Sequence, residues 1–188
     1  MDTGRRPPSL LRLLTSIALV LLSLICLGIA LNTRDLIWFW PVFNEQPYEI
    51  ILHCYGEDVI FREGSNENQV LMDLFNKQIS GRKNWDSITM SGTTYEYYQT
   101  SDDVMVLEYH YPQPVRIHSS VLFFRDVHTL VMPLEGRHAN SNAVFGRTRF
   151  FESSENKYKE YSTTGSFHVQ SLEPLIAYVQ SQGLCIKP

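Results

Sequence analysis

An α+β fold with an N-terminal membrane-spanning helix is predicted by three observations. Residues 13–33 form an uncharged apolar run. A helical repeat follows at 66–79, and most of 85–161 mixes β-branched and aromatic residues with polar turns. The expected organisation is a cytoplasmic N-terminus at 1–12, a transmembrane helix at 13–33, a juxtamembrane linker at 34–46 and one extracellular domain at 47–188. That domain is expected to carry a mainly antiparallel sheet and two covering helices.

The apolar run is LLTSIALVLLSLICLGIALNT. At 1.5 Å per residue it matches a hydrocarbon core of about 30 Å. Arg5, Arg6 and Arg12 precede it against Asp2 alone, whereas Glu45 and Glu49 follow, so the positive-inside bias places the N-terminus in the cytoplasm. A cleavable signal peptide shares these ingredients, with Gly28 and Ala30 as small residues at a cut site. Retention is favoured because the run exceeds the usual signal-peptide core and IWFWPVF follows directly. Trp38 and Trp40 there suit an interfacial belt, with Arg12 anchoring the other end. Ser16, Ser23 and Ala30 recur every seven residues, and Cys26 lies three beyond Ser23. Small residues let helices approach closely, so these four positions are either a helix contact or a chance stripe on a plain anchor.

In the external part, IILHCY and DVIFR flank a turn and read as a hairpin. SNENQVLMDLFNKQIS reads as a helix capped by Asn66 and ended by Gly81, with Val70, Leu71, Leu74, Phe75 and Ile79 on its apolar side. SITMSG, TYEYYQ, VMVLEYHY, HTLVMPL, TRFFES and KYKEYST are expected strands. In VMVLEYHY, alternation sets Met105, Leu107, Tyr109 and Tyr111 on a packed face. Val104, Val106, Glu108 and His110 fall on a half-wetted one, and Pro112 and Pro114 end the strand. A second helix starts from Ser171, tolerates Pro174 in its first turn and stops at Gly183. The segment from Asp126 to Thr148 is the least regular and the first place to look for a bound ligand.

Chemical motifs are sparse. The six histidines, His53, His110, His118, His128, His138 and His168, lack i, i+4 or His-x-His spacing, and no Cys-x-x-Cys occurs, so no metal site or cofactor is expected. His53 with Glu49 is the best residual pair. No Gly-x-Ser-x-Gly is present, and no catalytic residues are assigned. The tyrosines of TYEYYQ and VLEYHY suit either sheet packing or an aromatic binding surface. Cys54 and Cys185 stand as a disulfide closing a very long loop, or Cys54 as a small core residue. Net charge is −4 without a basic cluster, which argues against a nucleic-acid partner. The chain has no Asn-x-Ser/Thr sequon, which suits a bacterial exterior.

The order of features resembles the amino-terminal part of the YycH family: SIALVLLSLICLGIALNT, an aromatic exit, PYEIILHCYGEDVIF, then VLEYHYPQPVRI and FFRDVHTLVMPL. These are membrane-anchored extracellular regulators, related to YycI, of the WalK (YycG) sensor kinase in low-GC Gram-positive bacteria. The resemblance spans the anchor and residues 46–135; family members are longer, with further external domains. It implies no enzymatic activity and a regulatory role beside a kinase, with the Ser16, Ser23, Ala30 stripe as the contact. The expected function is therefore a single-pass plasma-membrane regulator whose partners are the lipid bilayer and a membrane protein, foremost a two-component sensor kinase. The alternatives are an anchored or secreted glycan- or peptide-binding module and an envelope hydrolase.

Overall fold

In a computed structural model of the chain, residues 9–121, 124, 126–153 and 155–187 are described. They fall into two units, one running to Trp40 with a short segment at 119–122, the other from Pro41 onward without that segment.

In the first unit, helix α1 runs Leu10–Thr33. Ser9 caps it by accepting from the Arg12 amide at 3.4 Å, and Arg34 ends it in the left-handed region. An 18-residue stretch of it has a mean hydropathy of 2.6, and its leucine and isoleucine side chains are exposed along most of its length. By length and composition it is a candidate membrane span.

The second unit is α+β. Strands β1 (Glu49–Cys54) and β2 (Glu57–Arg62) form the expected hairpin, turning at Tyr55 and Gly56, both at positive φ. Helix α2 (Asn66–Ser80) follows, then β3 (Asn84–Asp86), helix α3 (Gly92–Thr100) and β4 (Met105–Val115). Strands β5 (Val127–Pro133), β6 (Ala143–Glu152) and β7 (Lys157–His168) precede helix α4 (Glu173–Ser181). The described strands make one seven-stranded sheet in the order β2-β1-β4-β5-β6-β7-β3, with every pair antiparallel.

The main core lies on one face of this sheet. Ile50, Leu52, Leu107, Tyr109 and Leu130 point into it, and α2 and α4 cover it with Leu71, Phe75, Leu175 and Val179. Phe75 stacks on Tyr109 at 4.0 Å, and the Tyr109 hydroxyl donates to the Leu71 carbonyl at 3.2 Å, so a buried phenol finds an acceptor.

Several expectations are corrected. TYEYYQ is helix α3, not a strand, and SITMSG is mostly irregular. Ser91 accepts from the Thr94 amide at 3.1 Å and starts the helix; the three-residue spacing of Tyr95 and Tyr98 then lets both reach the sheet. Among the described residues the second unit therefore carries three α-helices, not two, and α3 lies on the sheet face opposite α2 and α4. Because α3 is there, the second face of β4 is wetted less than expected: Val104, Val106 and Glu108 are all buried, and His110 stays partly exposed. The α2 cap is Ser65, which accepts from Asn68, and Asn66 is the first helical residue. At α4 the cap position falls on Leu172, with Ser171 accepting from Glu173. Strand β4 runs past Pro112 and Pro114 to Val115, with its register broken after His110. Asp126 to Thr148 is largely β5 and β6, and its irregular part is confined to 134–142.

Candidate functional site

In the first unit, Ser16, Ser23, Cys26 and Ala30 lie on one unbroken helix. The hydroxyls of Ser16 and Ser23 donate to the Arg12 and Leu19 carbonyls at 2.9 and 2.8 Å. They are thus satisfied within the helix and present little more than small, smooth side chains outward. Cys26 is a partly buried free thiol and Ala30 is buried. Arg12 and Trp40 are exposed, and Trp38 packs edge-on against Phe39.

In the second unit, Cys54 and Cys185 are joined by a disulfide, with Cα atoms 5.6 Å apart and a separation of 131 in sequence. Cys54 is also part of the core, so the two readings of it coexist. The bond fastens the segment after α4 to the end of β1. Shallow cavities of about 320 and 360 Å³ flank that segment, both lined by Tyr55, Gly183 and Ile186.

The densest chemistry lies under α3. Residues directly opposed on paired strands share a face, and the register sets Glu49, His110, Thr129 and Arg147 in one row across β1, β4, β5 and β6. One row over, Glu108 lies between Ile51 and Val131, and His53 sits opposite Asp58 on β2. His53 Nδ1 donates to Asp58 Oδ1 at 2.6 Å, and its Nε2 lies 3.5 Å from Glu108 Oε1. His110 Nε2 lies 3.2 Å from Glu108 Oε2. These two imidazole contacts attract by charge but are not aligned as hydrogen bonds, leaving Glu108 Oε1 and both Nε2 atoms without a hydrogen-bond partner. From α3, the Tyr95 hydroxyl donates to Glu108 Oε2 at 3.1 Å, and the Arg147 guanidinium covers the Tyr95 ring at 3.6 Å.

Glu108 is wholly buried. Burial opposes its ionisation, but the imidazoles of His110 and His53 outweigh that cost and hold the carboxyl at about 2. For His53, burial opposes protonation, and the Glu108 and Asp58 carboxylates overcome it, raising the group above its usual 6.5. Such a cluster can store a proton and pin a helix. Glu108 itself is closed off from solvent, while Asp58 at the sheet edge is half exposed.

Glu49 is therefore not the partner of His53; two carboxylates from other strands are, and neither was predicted. Period-two alternation put Glu108 and His110 on one face, but only strand pairing could add His53 and Asp58, and Tyr95 was hidden by reading its segment as a strand. Among the described residues no group of three or more His, Cys, Asp or Glu is arranged to hold a metal ion. On the outer side of α3, Thr93, Thr94, Tyr97, Tyr98 and Arg137 line an open cavity of about 280 Å³. No protein-family model, curated protein or solved structure matches this chain.

Proposed function

We propose that the chain is a single-pass, membrane-anchored regulatory protein whose external α+β body binds a partner and whose helix couples that event to a membrane protein, foremost a two-component sensor kinase. The observation that carries this reading is α1: 24 residues of high hydropathy, exposed along most of their length, on a body with its own core. So large an exposed apolar surface needs a bilayer or another helix to cover it. The sensor-kinase partner rests on the sequence resemblance to the YycH regulators.

Coupling requires α1 to contact two states of its partner differently, since equal binding to both shifts nothing. Replacing Ser16 and Ser23 by leucine preserves insertion and fills the small stripe. The expected outcome in the native host is lost co-purification with the kinase and altered kinase output. Unchanged binding and output sink the helix-contact mechanism, and a mature protein beginning near Leu31 in the medium sinks anchoring altogether. A second reading, an anchored ligand-binding module, is favoured by the cavity beside Tyr97 and Arg137. It requires function to survive exchange of α1 for an unrelated span.

A further inference from the structure

His53 is 5 % exposed, yet both of its ring nitrogens face carboxylate oxygens, Asp58 on one side and Glu108 on the other. A neutral imidazole has one N–H, so its second nitrogen would turn a lone pair toward a carboxylate; only the protonated ring fits between two acids. Glu108 in turn holds α3 through the Tyr95 hydroxyl. We propose that Asp58, His53, Glu108 and Tyr95 form a proton-operated latch on α3, closed while His53 is protonated and released when rising pH removes that proton.

The surroundings determine which way the strain is relieved. Facing the cluster are Asp58 from β2, Glu49 from β1, Glu108 and His110 from β4, Arg147 from β6 and Glu160 from β7, with Tyr95 from α3. Once His53 is neutral, the buried Glu108 carboxylate loses one of its two imidazole neighbours and needs water. On the strand sides the way is blocked by backbone ladders. Helix α3 is the lighter cover: nine residues, fastened mainly by Tyr95 and by Tyr98, whose hydroxyl bonds to His138. Opening α3 is thus the cheapest way to hydrate Glu108, and it also rebuilds the outer cavity at Thr93, Tyr97 and Arg137.

The sign follows from the geometry: with α3 docked, water is kept from the His53–Glu108 pair and their attraction is stronger than when α3 is open, so the docked state holds the His53 proton more firmly. While the ring is protonated with α3 either docked or undocked, the latch contributes fully. As pH climbs from there through the higher docked-state value, undocking becomes easier by up to about tenfold per pH unit, then levels off. The inference rests on the α+β body alone and stands or falls apart from membrane anchoring.

The test is amide hydrogen exchange on the full chain in detergent, corrected for intrinsic rates, between about pH 6 and pH 9. Amides of Gly92–Thr100 are expected to lose at least about tenfold protection across this range while those of β4 hold. Asp58→Asn alters a half-exposed side chain at the sheet edge and leaves the core intact; it should move the α3 transition to lower pH. Tyr95→Phe should lower α3 protection already at pH 6 and flatten the pH step. A flat α3 profile in the parent chain, an unmoved transition in Asp58→Asn, or loss of protection in α3 and β4 together would each overturn the latch.

Discussion

Glu108 is a buried carboxyl held far below its ordinary range by the imidazoles of His110 and His53. Its carboxyl sits at about 2 in the folded chain against an ordinary 4.5, so its contribution is present above about pH 4.5 and fades as pH falls through about 2. Acid unfolding followed by circular dichroism should therefore show a component in that window that Glu108→Gln removes. At pH 7 the same substitution leaves His53 and His110 facing a neutral amide and is expected to cost about 3–5 kcal/mol, the range for breaking a buried ion pair. Gly146 on β6 is a second sensitive position, for a steric reason. A Cβ there would meet Phe124 Cε1 at 2.6 Å and Thr163 Cγ2 at 2.8 Å, both inside the packed body. Gly146→Ala is expected to destabilise by about 1–3 kcal/mol, read as a lower urea midpoint at unchanged slope. A neutral result would mean that Phe124 moves aside freely.

Helix α3 shows how an element can be legible in its caps and still be missed in its interior. TYEYYQ has the aromatic composition of a strand; what overrides it is the Ser91 cap and the burial of Tyr95 and Tyr98 at helical spacing. Ser91→Ala should cost about 1 kcal/mol and raise exchange in α3 before any other helix, because a nine-residue helix has little else to nucleate it. Equal exchange in parent and variant would show that tertiary contacts alone hold the helix. By contrast the β1–β2 hairpin, α2, the packed face of β4, β6, β7 and α4 were readable, since each pairs a strong period with a turn or cap signal. The charge cluster was not. Its members come from β1, β2, α3, β4 and β6, and only register and the side on which α3 docks bring His53, Asp58, Tyr95, Glu108 and Arg147 together.

At the scale of the whole molecule, the Cys54–Cys185 bond ties the first strand of the body to the segment that follows α4. Cross-linking positions 131 apart removes much of the freedom of the unfolded chain, worth about 5 kcal/mol in the chain-entropy model, although measured values commonly fall nearer 2–4. Cys54 contributes one small side chain to a core that is built mainly from larger ones, Ile50, Leu107, Phe75 and Leu175 among them. A Cys54→Ala, Cys185→Ala double variant is therefore expected to fold with unchanged far-ultraviolet circular dichroism but to lose about 2–5 kcal/mol in denaturant titration. The reduced parent chain should match it. Since the bond closes over the cavities beside Tyr55 while the acid cluster lies under α3, the two constraints should act independently, and the pH step of α3 should persist in the double variant. If reduction instead abolished that step, the tail and α3 would be parts of one cooperative unit and the body would have a single switch, not a switch and a separate clasp.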